Sequence, residues 1–180
     1  MAILRRVPDV AARVATLADA GVRAIEITID SPDAPAAIER TRARGDVAVL
    51  AGTVRRAEQV DAAVAAGAEA VVSPGFVAAV VARAQELGVP AIPGALTPSE
   101  VEAAWAAGAA LVKLFPGSLG GPRYVRELLA PLADVPLLVT GGVDASNARA
   151  FLEAGAVAVG AGSALDDPHE ARRLVAATRR

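Results

Sequence analysis

The sequence predicts a parallel α/β barrel of the (β/α)8 kind, a TIM barrel, with residues 1–180 forming a single domain. Three observations lead there. Short, continuously apolar segments alternate with longer segments of helical pattern, which is how a parallel sheet covered on both faces reads. About eight such units follow one another without a linker, a low-complexity tract or a second domain, and eight units close most naturally into a ring. A glycine stands at the end of most helical segments, where a left-handed residue stops a helix at little cost. A doubly wound open sheet is the alternative. It would need a glycine-rich turn after the first strand, and Arg5-Arg6-Val7-Pro8 stands there instead.

Taken in order, residues 2–4 are a short strand, and 9–20 a helix that stops at Gly21. Residues 24–29 are apolar and β-branched except for Glu26 and Thr28; the helix 34–44 follows and ends at Gly45. The module then recurs: strand 47–51 with helix 56–66 before Gly67, and strand 70–72 with helix 76–87 before Gly88. Strand 91–92 leads to helix 99–107, which Thr97-Pro98-Ser99 starts and Gly108 ends. Strand 111–115 precedes helix 123–130, strand 137–140 precedes helix 146–154 with Gly155 after it, and strand 156–159 precedes the last helix, 168–178.

Composition removes several classes of function. A net charge of −2 with scattered basic residues gives no footprint for nucleic acid. There is no cysteine, so disulfides and thiolate metal sites are excluded, and a single histidine leaves few ligands for zinc. No apolar stretch approaches the roughly 20 residues of a membrane span. Met1 leads directly into Ala2-Ile3-Leu4-Arg5 without the pattern of a signal peptide, which points to the cytoplasm.

The most informative residue is Lys113, in Leu111-Val112-Lys113-Leu114-Phe115-Pro116. Of 18 basic residues it alone is lysine, and it lies inside an apolar run. An amine can lose its proton and attack a carbonyl, whereas a guanidinium stays protonated, so a lone lysine at a dry position suggests Schiff-base chemistry. The competing reading is a strand-end charge that snorkels to water. Alternation along the strand puts Lys113 on one face with Leu111 and Phe115, and Val112 and Leu114 on the other. The barrel interior is the cheaper face for it, because among the helices it would be buried without a partner. Glu26 poses the same question: Ile25, Ile27 and Ile29 suit the helix layer, which aims Glu26 inward. A buried carboxylate near a lysine is either a structural ion pair or a proton carrier.

Glycine pairs follow the last two strands, in Thr140-Gly141-Gly142-Val143 and Gly160-Ala161-Gly162-Ser163. Bare backbone amides in those loops are where such barrels often hold phosphate, although tight turns also use them. Arg5, ending the first strand, meets either an anion or solvent, and Arg6 beside it makes solvent the fate of one of the two. Thr53 either bonds a carboxylate or caps the next helix. His169 reads as part of a helix start, and Trp105 and Tyr124 as packing or subunit-contact residues.

Together, Glu26-Ile27-Thr28, Ala51-Gly52-Thr53-Val54, Val72-Ser73-Pro74-Gly75, Ile92-Pro93-Gly94, Thr97-Pro98-Ser99-Glu100, Lys113-Leu114-Phe115-Pro116, Thr140-Gly141-Gly142 and Gly160-Ala161-Gly162-Ser163 resemble, in order and along nearly the whole chain, the bacterial KDPG/KHG aldolases. The resemblance implies a class I aldolase that cleaves a 2-keto-3-deoxy-6-phospho sugar acid to pyruvate and glyceraldehyde 3-phosphate without metal or cofactor. It implies Lys113 as the Schiff-base lysine, Glu26 as general acid and base, and Thr53 near the pyruvyl carboxylate. Phe115 would lie beside the imine and Pro93 in a pocket-lining turn, with Gly141, Gly142, Gly162 and Ser163 as phosphate cradle. It also implies a homotrimer. Two features depart from the family pattern. Asp30 stands where many members carry an arginine, and the segment with Arg5 on the first strand looks more like the phosphogalactonate-type branch. The helix that usually precedes the first strand is missing. Competing readings are a 4-hydroxy-2-oxoglutarate aldolase, an oligomeric barrel scaffold with little activity, and a phosphate-binding isomerase or synthase barrel.

Overall fold

Strand and helix alternate through the whole of the computed structural model, which describes residues 1–179. The strands are β1 (Ala2–Leu4), β2 (Ala24–Thr28), β3 (Ala48–Gly52), β4 (Ala70–Val72), β5 (Ala91–Ile92), β6 (Gly94–Ala95), β7 (Val112–Leu114), β8 (Leu137–Thr140) and β9 (Ala158–Gly160). The helices are α1 (Val10–Asp19), α2 (Ala34–Arg44), α3 (Ala57–Ala65), α4 (Ala78–Glu86), α5 (Pro98–Ala106), α6 (Gly121–Leu129), α7 (Ala148–Glu153) and α8 (Pro168–Thr178). Every expected element is present within a few residues of its expected bounds.

Local chemistry accounts for where the helices begin and end. The Asp9 side chain accepts from the Ala12 amide at 3.0 Å and starts α1. Thr97 and Glu100 form a reciprocal cap on α5, in which the glutamate accepts from the Leu96 and Thr97 amides, each at 2.8 Å. Helix α6 begins earlier than expected, at Gly121, because Pro122 tolerates the first turn, where its missing N–H has no partner to lose. At the other ends, Gly21 (φ 97°) and Gly155 (φ 111°) take the left-handed conformation that only glycine adopts freely.

All strand pairs are parallel and join sequence neighbours, as β1-β2-β3-β4-β5 and β6-β7-β8-β9. The first seam between these runs lies at Pro93, which has no N–H for the ladder, so one expected strand is read as the two short pieces β5 and β6. Backbone bonds cross that seam: the Ala110 amide donates to Ala91 at 2.9 Å and the Lys113 amide to Pro93 at 2.8 Å. The second seam is joined by a bridge between Ala2 and Ala161, with the Ile3 amide donating to Ala161 at 2.8 Å. The sheet therefore closes into a TIM-barrel-like ring, with β5 and β6 together counting as one of eight staves.

Closure divides the apolar residues into two layers. Ile25, Ile27, Val49, Val71, Val112, Leu114, Leu137 and Val139 point outward into the main core beneath the helices. Leu50, Ala70, Val72, Ile92 and Leu138 fill the inside of the barrel, with Ala24, Leu111 and Ala158 packed against them. The expected faces of the second and sixth staves are thus the observed ones. Burying an aliphatic side chain stabilises by about 1.5–3 kcal/mol, so a one-residue slip on β2, which would exchange the isoleucines for Glu26, is strongly disfavoured.

Candidate active site

Lys113 occupies the middle of β7 and reaches into the barrel above this inner apolar layer. Its side chain is only 8% exposed, and its Nζ lies 3.4 Å from Oε2 of Glu26, which projects from β2 and is 1% exposed. The two residues are 87 positions apart in sequence; inward alternation on two staves of a closed ring brings them together. Burial raises the Glu26 carboxyl above the usual carboxylate range, and the neighbouring Lys113 charge only partly opposes this. Nζ also stands 5.7 Å from the centre of the Phe115 ring, close enough for a cation–π contact.

Gly52 makes room for the carboxylate. A Cβ at that position would lie 2.2 Å from Glu26 Oε1 and within 2.7 Å of its Cγ and Cδ. The last residue of β3 must therefore lack a side chain for Glu26 to fold against it.

Lys113 opens onto a cavity of about 840 Å³, lined by Arg5, Thr53, Arg55, Phe115 and Thr140 together with both glycine loops. Gly141, Gly142, Gly162 and Ser163 all lie on its wall. Gly142 has φ 76°, and a Cβ there would come within 2.6 Å of Ser118 Cβ, so this loop is tightly packed as well as left-handed. Thr53 has φ 61°, unusual for a β-branched residue. Its hydroxyl accepts from Arg5 at 2.9 Å rather than capping the next helix, where Arg56 holds the N-cap position.

Arg5 also donates to Asp30 at 3.1 Å, and Arg6 approaches the same carboxylate oxygen at 3.8 Å. Arg6 is the solvent-facing member of the pair, 71% exposed against 54% for Arg5. Partial burial pushes the Asp30 carboxyl up, but the Thr28 hydroxyl and the Arg5 charge outweigh it and hold it below the ordinary value.

Pro93 is buried, and its carbonyl accepts the Lys113 amide. The next residue, Gly94, packs so closely on the loop after β4 that a Cβ would meet the Pro74 carbonyl, and Pro74 lies on the cavity wall. His169 lies apart, starting α8 through its amide bond to Asp167. Trp105 donates to Asp134 and Tyr124 to the Leu96 carbonyl, as packing residues do.

Three polar wall residues were not anticipated: Thr140, Arg55 and Asp144. Thr140 is fully buried, and its hydroxyl is the one buried side-chain polar atom without a hydrogen-bond partner among the described residues. Its place at the end of β8, in step with the inward-facing Leu138, was the available signal. Asp144 is occupied by its own turn, accepting from the Ser146 hydroxyl and from the Ser146 and Asn147 amides. Among the described residues no three His, Asp or Glu side chains group as a metal site would need, and no helix is long and apolar enough to cross a membrane.

The KDPG and KHG aldolase model matches residues 2–174. The chain is 39% identical over 173 residues to the 2-dehydro-3-deoxy-6-phosphogalactonate aldolase of Escherichia coli (strain K12), a match covering 92% of this chain and 83% of the relative. Among solved structures it is similar to a cube-shaped, highly porous protein cage designed by fusing symmetric oligomeric domains. That likeness has a TM-score of 0.91 and 35% identity, and covers 98% of this chain and 70% of the other. It is also similar to the KDPG aldolase of Legionella pneumophila with pyruvate captured at low pH as a covalent carbinolamine, with a TM-score of 0.79 and 25% identity over 98% of this chain and 91% of that one. With a family match along nearly its full length and a buried lysine–glutamate pair at the floor of its cavity, the chain belongs to the KDPG and KHG aldolases.

Proposed function

We propose that the chain is a single-domain class I aldolase that cleaves a 2-keto-3-deoxy-6-phospho sugar acid to pyruvate and glyceraldehyde 3-phosphate, with Lys113 as the Schiff-base residue. The observation that carries this is the buried Lys113 Nζ, 3.4 Å from Glu26 and facing a cavity that both glycine loops line. Nζ attacks the C2 ketone, and loss of water leaves an iminium. Glu26 accepts the proton of the C4 hydroxyl, directly or through a water, and the C3–C4 electron pair moves into the iminium as the aldehyde departs. The resulting enamine takes a proton at C3, and hydrolysis returns the free amine and pyruvate. Both reactants of this cycle come from the substrate and water, so no metal or cofactor is required.

Arg5 and Thr53 serve the C1 carboxylate, the faces of Gly141, Gly142, Gly162 and Ser163 serve the phosphate, and Phe115 covers the imine. The Thr140 hydroxyl bonds a substrate hydroxyl, which gives its unmatched polar atom a partner on binding. Pro93, in the turn expected to line the pocket, also holds the strand that carries Lys113 by accepting its amide. The substrate is a multiply charged phosphate ester that does not cross membranes unaided, which supports a cytoplasmic site of action. Family resemblance and likeness to a domain used in a symmetric oligomeric design support a homotrimer; light scattering in solution would then give about three times the 18.0 kDa chain mass.

The test is incubation with pyruvate and borohydride, followed by peptide mass spectrometry. A reduced pyruvyl adduct on Lys113 is expected, with none in Lys113→Arg, whose cleavage activity should fall to background. An unmodified wild-type chain would support a barrel without aldolase chemistry. Assays on the phosphogluconate, phosphogalactonate and 4-hydroxy-2-oxoglutarate substrates then rank the three.

A further inference from the structure

We propose that Arg55 is a second anchor for the substrate's keto-acid carboxylate, supplying a free positive charge where Arg5 is already engaged by Asp30. The inference rests on the aldolase reading and adds a specificity residue to that site. Arg5 spends one nitrogen on Asp30 at 3.1 Å and another on Thr53 at 2.9 Å. The Asp30 carboxylate, which Arg6 approaches less closely, therefore offsets part of the charge that Arg5 would offer an incoming anion.

Arg55 stands two residues after Thr53 on the same loop. Val54 between them is fully buried toward the helices, and both flanking residues line the cavity. The loop is held by the Arg55 and Arg56 amides, which donate to Gln59 at 2.8 and 3.0 Å. Because Arg5 itself bonds Thr53, the two arginines share one wall. Among the described residues Arg55 has no acidic side chain within ion-pair distance. Asp144, an acid of the cavity wall, is on the loop after β8, four staves round the ring from β3, with its Oδ1 engaged by its own turn. A guanidinium with no ion-pair partner among the described residues, on a wall of a cavity whose other side carries bare amides, suits a carboxylate at the end of the substrate remote from the phosphate.

The experiment compares wild type, Arg55→Gln, Arg55→Lys, Asp30→Asn and the double variant Asp30→Asn/Arg55→Gln. Two quantities are read: the pyruvate concentration that half-saturates borohydride trapping, and the KM for glyceraldehyde 3-phosphate in the addition direction. Arg55→Gln should raise the pyruvate value about 10-fold, the scale of one partly exposed charge-assisted hydrogen bond. The glyceraldehyde 3-phosphate KM should stay within about twofold. Arg55→Lys should recover part of the loss, and the double variant most of it, because Arg5 is then released to the carboxylate. Wild-type pyruvate saturation in Arg55→Gln, a loss confined to glyceraldehyde 3-phosphate, or a double variant no better than Arg55→Gln would each overturn the inference while leaving the aldolase intact. Failure to trap wild type at all would instead overturn the aldolase reading, and this inference with it.

Discussion

Gly52→Ala puts the site's geometry to a direct test, because it displaces a reacting group, Glu26, without replacing any. The added methyl would sit 2.2 Å from Glu26 Oε1, with Cγ and Cδ also inside 3 Å. Reaching ordinary van der Waals contact needs a retreat of about 1 Å. A flexible carboxylate at the surface would simply swing aside, but Glu26 is 1% exposed and hemmed in by the strands around it. The whole side chain must therefore shift, and the 3.4 Å approach to Lys113 shifts with it. Overpacking of this kind costs about 1–3 kcal/mol, which for a chain this size lowers Tm by about 2–12 °C. A misplacement near 1 Å at a proton-transfer group costs about 100-fold in turnover. We expect kcat for cleavage to fall by about that factor while borohydride still traps pyruvate on Lys113. A variant with lowered Tm but kcat within about twofold of wild type would refute the reasoning, since the glutamate would have moved without consequence.

Four further outcomes are expected. Because burial raises the Glu26 carboxyl, the acid limb of the kcat–pH profile should lie above the ordinary carboxylate range, activity falling as the base is protonated; Glu26→Gln should abolish that limb and lower kcat about 10²–10⁴-fold. The same shift has a sign for stability: a raised carboxyl binds its proton better folded than unfolded, so its contribution is present below the unfolded pKa and lost as pH rises through the folded one, and denaturant titrations of Glu26→Gln should lack this loss. Thr140→Val removes a buried hydroxyl that has no partner, so it should leave stability unchanged or raise it by about 1 kcal/mol in urea titrations while weakening substrate binding; a destabilised variant would mean the hydroxyl is satisfied in the free protein. Gly142→Ala, at φ 76° with its Cβ 2.6 Å from Ser118, should raise KM for the phosphorylated substrate at least about 10-fold without altering the pyruvate dependence of trapping.

Much of this architecture is dictated locally. Alternation on β2 sends Ile25 and Ile27 one way and Glu26 the other, and alternation on β7 does the same for Val112, Leu114 and Lys113; hydrophobic burial settles those directions whatever the sheet later does. Helix-ending glycines and the Asp9 and Thr97 caps are likewise readable, because each is satisfied by residues within a turn of itself. What no local pattern contains is distance across the ring. Lys113 meets Glu26 only because the sheet closes at both seams, and the close approach of Pro74 to Gly94 is likewise made between neighbouring staves. The same is true of the Thr140 hydroxyl and of Arg55. Position on a strand tells which way such a group points, but not whether its bond or its charge is met, since that lies in which partners the folded chain withholds from it.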